Sequence, residues 1–128
     1  MLREKALQFR RQGYNCSQCI VKAAGNIYGI PAPEQVLSAC QGINAGLGIG
    51  YMCDILLAGV MVFGLLFDET STKRLRIRLL TRFSEKHPQM DCCVLIKLRK
   101  DDTRCEGLIG ETADLIEEII AEEYRRRC

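Results

Sequence analysis

The chain has no tryptophan, one histidine and only three prolines in 128 residues, and its aromatic fraction is 6 %. So few aromatics leave no platform on which nucleobases stack, and a formal net charge of +2 is too small to argue for phosphate backbones as ligands. Nucleic acid is therefore not an expected partner. The lone His87 leaves little room for mixed histidine–cysteine metal sites, and no Ser-His-Asp set or metal-hydrolase motif is present. His87-Pro88-Gln89 reads as an exposed turn, so hydrolase chemistry is disfavoured. No segment alternates apolar and polar residues as a half-buried strand does. One long apolar stretch, Ile43 to Leu66, carries Asp54 as its only charge. Its Gly-rich first half and the mid-segment carboxylate argue against a membrane span and for a loop followed by a buried helix. The N-terminus, MLREKALQFRR, has no apolar segment of the secretory kind, so the expected compartment is cytoplasmic and reducing.

What the chain does have is cysteine, eight in all. A chain of this length forms one domain, residues 1–128, with a core large enough to need no disulfides. In a reducing compartment, so many thiols point to metal binding or redox work. The bland alternative is that they pack as small core residues.

Helical spacing runs throughout. Leu2, Ala6 and Phe9 share a face of a first helix over 2–12, which Gly13 stops. Asn15, with Gln18 three residues on, resembles a capping box opening a second helix from Cys16 to Tyr28, ended by Gly29. A short helix is expected from Pro33 to Cys40. Gly46-x-Gly48-x-Gly50 lacks the preceding strand and the Lys-Ser/Thr of a phosphate loop, so it reads as a close-packed loop or helix crossing. Cys53 to Leu66 is apolar on nearly every side, the mark of a helix at the centre of a bundle, with Gly59 and Gly64 as points of close approach. A helix over 72–86 follows, with Leu75, Leu79 and Phe83 as its stripe; its arginines read as a solvated face. Asp91 caps a short helix over 93–98. Thr103 and Glu106 form a T-x-x-E box before a last helix over 104–127, whose buried face carries Cys105, Leu108, Ile109, Ile116 and Ile119. The class is all-α: a small single-domain helical bundle with a central apolar helix.

Cys16, Cys92 and Cys105 each follow a cap, and Cys53 opens the central helix. Thiols at helix starts meet free backbone N–H groups and the positive end of the dipole, which lower thiol pKa and favour the thiolate that binds metal. Convergence of these four starts would make one anionic centre. Cys19 and Cys93 are alternates, Cys40 reads as core filler and Cys128 as an exposed thiol. Cys16-x-x-Cys19 is also the spacing of a redox dithiol, though no thioredoxin-like βαβ pattern surrounds it.

These elements resemble, in order, those of the C-GCAxxG-C-C family of redox-active proteins. Asn15-Cys16-Ser17-Gln18 is similar to its first element. The run into Tyr51-Met52-Cys53, with GVMVFGL (Gly59 to Leu65), resembles the second. Cys92-Cys93-Val94-Leu95 resembles the third, and Cys105 opening a C-terminal helix the fourth. The family usually has Gly or Ala after its second cysteine, where this chain has Asp54. The resemblance implies an all-helical protein with a cysteine-ligated metal centre at Cys16, Cys53, Cys92 and Cys105, iron–sulfur ahead of zinc, serving electron transfer or redox sensing with a redox partner protein; a homodimer is among the allowed states. Haem is not expected, because Ile20 follows Cys19 where covalent attachment needs histidine. Two other readings stay open: a thiol–disulfide oxidoreductase using Cys16/Cys19 or Cys92/Cys105, and a non-catalytic helical interaction protein.

Overall fold

The computed structural model describes residues 1–30, 34–92, 94–95 and 105–128. Among these the secondary structure is helical, with one isolated two-residue bridge. Helix α1 is Leu2–Arg11, α2 Cys16–Tyr28, α3 Glu34–Ala39, α4 Asp54–Leu66, α5 Glu69–Lys86 and α6 Glu106–Arg127. The all-α class and the central apolar helix follow the sequence pattern. Pro33, Cys93, the end of the short helix over 93–98, the loop after it and Thr103 lie outside the described residues.

Local chemistry sets the helix ends. At α2 the reciprocal capping box forms: Gln18 N donates to Asn15 Oδ1 at 3.0 Å, and Asn15 N donates to Gln18 Oε1 at 3.2 Å. Gly29 ends the helix at φ 70°, in the left-handed region that glycine enters without a Cβ penalty. Helix α5 begins at Glu69, three residues before the expected start. The reason is that Asp68 itself is the cap and accepts from Ser71 N at 3.0 Å.

Helix α4 packs against α2, α5 and α6. Ile55, Leu56, Ala58, Val62 and Phe63 are buried, but Leu57, Val60 and Met61 are half-buried and Gly64 and Leu65 exposed, so the first three turns bury one broad face rather than every side as expected. Gly59 is the point of closest approach: a Cβ there would stand 2.9 Å from both Ile116 Cδ1 and Leu79 Cδ2. Gly64 was expected to play the same part and does not, since its Cβ would meet only Thr72 Cγ2 at 3.9 Å. The stripe Leu75, Leu79 and Phe83 of α5 is buried, as is Leu108, Ile109, Ile116 and Ile119 of α6.

The arginines of α5 are less solvated than their spacing suggested. Arg74 grips Glu123 with both terminal nitrogens (2.9 and 2.7 Å), and Arg82 reaches Glu122 (2.7 Å) and Glu118 (3.2 Å) on α6. Glu123 is fully covered, yet by the guanidinium groups of Arg74, Arg126 and Arg127 rather than by apolar core. Those charges hold its carboxyl far below the usual carboxylate range. His87 is also partnered rather than exposed: Nε2 lies 2.9 Å from Glu111 Oε2, the ring packs on Phe83, and the side chain is 18 % exposed.

A measurement of urea unfolding separates the two α4 glycines. Gly59→Leu overpacks the contact with α5 and α6 and is expected to cost ~1–3 kcal/mol. Gly64→Ala adds helix propensity at an exposed site and is expected to gain ~0.5–1 kcal/mol.

Candidate metal or redox site

Three helix starts and one short bridge build the site. Cys16 is the first residue of α2, immediately after its Asn15 cap. Cys53 is the N-cap of α4 and Cys105 the N-cap of α6. Cys105 adopts φ 68°, a left-handed conformation rarely held by a side-chain-bearing residue, and so stands just before its helix rather than inside the first turn as expected. Cys92 opens a helical turn in which the Asp91 carbonyl accepts from Val94 N and Leu95 N.

The bridge is the feature the sequence did not announce. Met52 and Asp91 pair antiparallel, with Cys53 N donating to the Met90 carbonyl at 2.9 Å and Cys92 N to the Tyr51 carbonyl at 2.7 Å. Residues one step either side of a bridged pair point to the same face, so Cys53 and Cys92 project together. The approach to the bridge is the glycine-rich loop, where Ala45, Gly46, Leu47, Gly48 and Gly50 all have positive φ. Gly46 folds so tightly onto the Tyr51 backbone that a Cβ would collide with it. The close approach that the spacing suggested is made at Gly46; a Cβ at Gly48 would meet nothing within 4 Å, and Leu47 and Ile49 are exposed.

Cys16, Cys53, Cys92 and Cys105 all line one cavity of about 260 Å³, together with Asp54, Arg10, Leu95 and the loop residues Asn44 and Ala45. The thiols fall into two neighbouring pairs: the Cys105 side chain adjoins Cys16 and raises its thiol, and Cys53 and Cys92 share one face of the bridge. Cys19 does not line the cavity. It is buried in the core, its Sγ 3.5 Å from the Tyr14 carbonyl. Cys40 is core filling and Cys128 is exposed. None of the described cysteines is in a disulfide, and Cys93 lies outside the described residues.

The protonation of the thiols runs against the sequence expectation. Backbone N–H groups of Ile55 and Leu56 do point at the Cys53 sulfur and favour its thiolate, but burial outweighs them and pushes the thiol up to about 12. Cys16 is raised further, first by the adjoining Cys105 side chain, then by burial and the nearby Asp54. Cys19 is pushed up to about 11 by burial. At neutral pH these groups are thiols. A helix start supplies partial charges, and at a buried thiol they are weaker than the cost of isolating a full one.

Asp54, next to Cys53, is 2 % exposed. Its Oδ2 accepts from Ser17 N at 3.1 Å, joining the first turn of α4 to the first turn of α2. The carboxylate therefore satisfies a free N–H of one helix from the start of another, and holds Cys16 and Cys53 at the same cavity. Arg10, at the end of α1, donates from Nη1 to the Tyr14 carbonyl at 3.0 Å and completes the wall. Sequence reasoning noticed Asp54 without its partner and missed Arg10 altogether. No periodicity marks Arg10, because its role depends on α1 folding back against α2.

The site and fold together define a class: a small all-α protein with four thiols around one cavity. Against known families, residues 14–119 match the family described as "Putative redox-active protein (C_GCAxxG_C_C)". That is most of the chain, and the chain belongs to this family. No curated protein and no solved structure matches it.

Burial raises the Asp54 carboxyl above its ordinary value. A raised folded pKa means that the folded state holds the proton more tightly, so stability falls as pH rises from about 4 through the folded pKa. Asp54→Asn, which keeps an acceptor for Ser17 N, is expected to remove that component of the pH dependence. Asp54→Ala leaves the buried N–H unpaired and is expected to cost ~1–3 kcal/mol at neutral pH. Urea unfolding of the reduced protein between pH 4 and 8 checks both.

Proposed function

We propose that this protein binds an iron–sulfur cluster through Cys16, Cys53, Cys92 and Cys105 and works in electron transfer or redox sensing with a redox partner protein. The observation that carries the reading is that these four thiols, from four separate chain segments, line a single cavity. Membership of a family described as redox-active agrees with it. The donor set is all sulfur, which suits iron–sulfur clusters and zinc alike. Size favours the cluster. A zinc ion draws four sulfurs to about 2.3 Å and leaves no void among them. Here all four thiols line a cavity of about 260 Å³, while among the described residues no three His, Cys, Asp or Glu side chains are close enough together to hold a metal ion as they stand. When bound, the cluster would supply a one-electron store in a site walled by Leu95, Leu108 and Ile55.

The chain's own part is to present the sulfurs and give up their protons. Cys16 and Cys53 are protonated at neutral pH in the metal-free state, so loading must displace protons. Uptake strengthens as pH rises.

A second reading has its own observation, the closeness of the Cys16 and Cys105 side chains at the same cavity. Oxidation of this pair by a low-molecular-weight disulfide would form one S–S bond, with the two electrons and two protons passing to the oxidant as two thiols. Cys16/Cys19 is a poorer dithiol, since burial holds both protonated and Cys19 lies off the cavity.

Anaerobic purification with iron, sulfide and zinc analysis tests the two readings together. The expected result is brown protein containing iron and acid-labile sulfide, lost in Cys53→Ser and kept in Cys40→Ser and Cys128→Ser, with iron uptake that falls as the loading pH is lowered. Colourless protein with stoichiometric zinc replaces the cluster with a zinc site. Metal-free protein with a reversible Cys16–Cys105 disulfide in peptide mapping replaces it with the dithiol.

A further inference from the structure

Among the described residues that line the thiol cavity, Arg10 is the one Lys, Arg or His. It belongs to α1, which precedes the family-matched stretch 14–119, so this wall is added from outside that stretch. The guanidinium is held in place from two sides. Its own helix packs against α2 and α6, and Nη1 donates to the Tyr14 carbonyl at 3.0 Å, one residue before the α2 cap. Opposite it stand the four thiols and the buried Asp54. Its positive charge favours the ionised forms of Cys16, Cys19 and Asp54.

We propose that Arg10 is the fixed counter-charge of the thiol site, placed in the cavity wall to stabilise the more negative, reduced state of the group held there. This rests on the cluster reading. A centre ligated by four thiolates is anionic, and each electron added by an external one-electron donor, such as a reduced viologen, adds one further negative charge with no bond made or broken. Such a charge is stabilised by groups of opposite sign already in position. Arg10 is such a group: its guanidinium is held at the cavity wall by the Tyr14 carbonyl and needs no rearrangement. Net charge near a cluster is one of the factors that set its reduction potential. Asp54, the other ionisable wall group, has the opposite sign, and its carboxylate is already committed to Ser17 N. Arg10 is therefore a positioning residue for charge, not a ligand.

The test is a redox titration, followed by visible absorption, of wild-type protein, Arg10→Gln and Arg10→Lys, each reconstituted anaerobically with ferrous iron and sulfide. Arg10→Gln keeps a donor for the Tyr14 carbonyl while losing the charge. Its midpoint potential is expected to shift to more negative values, while Arg10→Lys stays close to wild type. Iron and sulfide per chain, together with helical content, are measured on the same samples. An unchanged midpoint in Arg10→Gln at equal iron content overturns the proposal and leaves the cluster reading standing. An equal fall in both variants assigns the effect to packing or hydrogen bonding, and also overturns it. If Arg10→Gln does not fold, Arg10→Met is titrated in its place against the same two outcomes. Wild-type protein that takes up no iron and sulfide removes the cluster reading itself, and Arg10's part falls with it.

Discussion

The burial of one broad face over the first three turns of α4 is the constraint on which the molecule is built. That face is covered by α2, α5 and α6, and Gly59 lets α5 and α6 approach to within contact of the α4 backbone. A helix packed in this way cannot leave its first turn in solvent. Its free N–H groups and its two first residues, Cys53 and Asp54, are carried into the interior. Asp54 then resolves part of the problem that burial creates, because its carboxylate accepts the Ser17 N–H of the neighbouring helix start. The same hydrogen bond draws Cys16 to the cavity. Packing of apolar side chains and placement of the thiols are thus one event.

Burial also decides the chemistry of the thiols. At Cys53 the helix-start N–H groups favour the thiolate but burial opposes charge more strongly, while at Cys16 the neighbouring Cys105 acts first and burial second; both are held as thiols. A site of this kind is quiet until a cation arrives. A metal can offset the lost solvation of the thiolates, which partial charges from backbone groups cannot. A low-pKa nucleophile, by contrast, needs an electropositive and partly open setting. Among the described lining residues Arg10 alone contributes in that direction, and it shares the cavity with Asp54.

The outer charges follow a different logic. Arg74, Arg78 and Arg82 lie along α5 at helical spacing and meet Glu118, Glu122 and Glu123 of α6. Exposed pairs of this sort contribute little each. Glu123, enclosed by three guanidinium groups, is the exception in degree, and it fixes the end of α6 against the start of α5 through Arg127, which donates to Ser71 Oγ at 2.8 Å.

The amino-acid sequence by itself determined the all-α class, the α2 boundaries with their capping box, the buried stripes of α5 and α6, and the opening of helices at Cys16 and Cys53. Each of these depends on residues within a few positions of one another, where spacing and cap chemistry act directly. Tertiary structure alone decided the rest. The Met52–Asp91 bridge turns Cys53 and Cys92 to one side, yet its partners are far apart in the chain and leave no periodic signal. Cys19 has the spacing of a dithiol partner and is turned into the core, its sulfur against the Tyr14 carbonyl. Whether a helix-start thiol ionises depends on how much water the folded neighbours exclude, and whether Arg10 meets the thiols depends on α1 folding back onto α2. Both are properties of several segments at once, so no single stretch of sequence carries them.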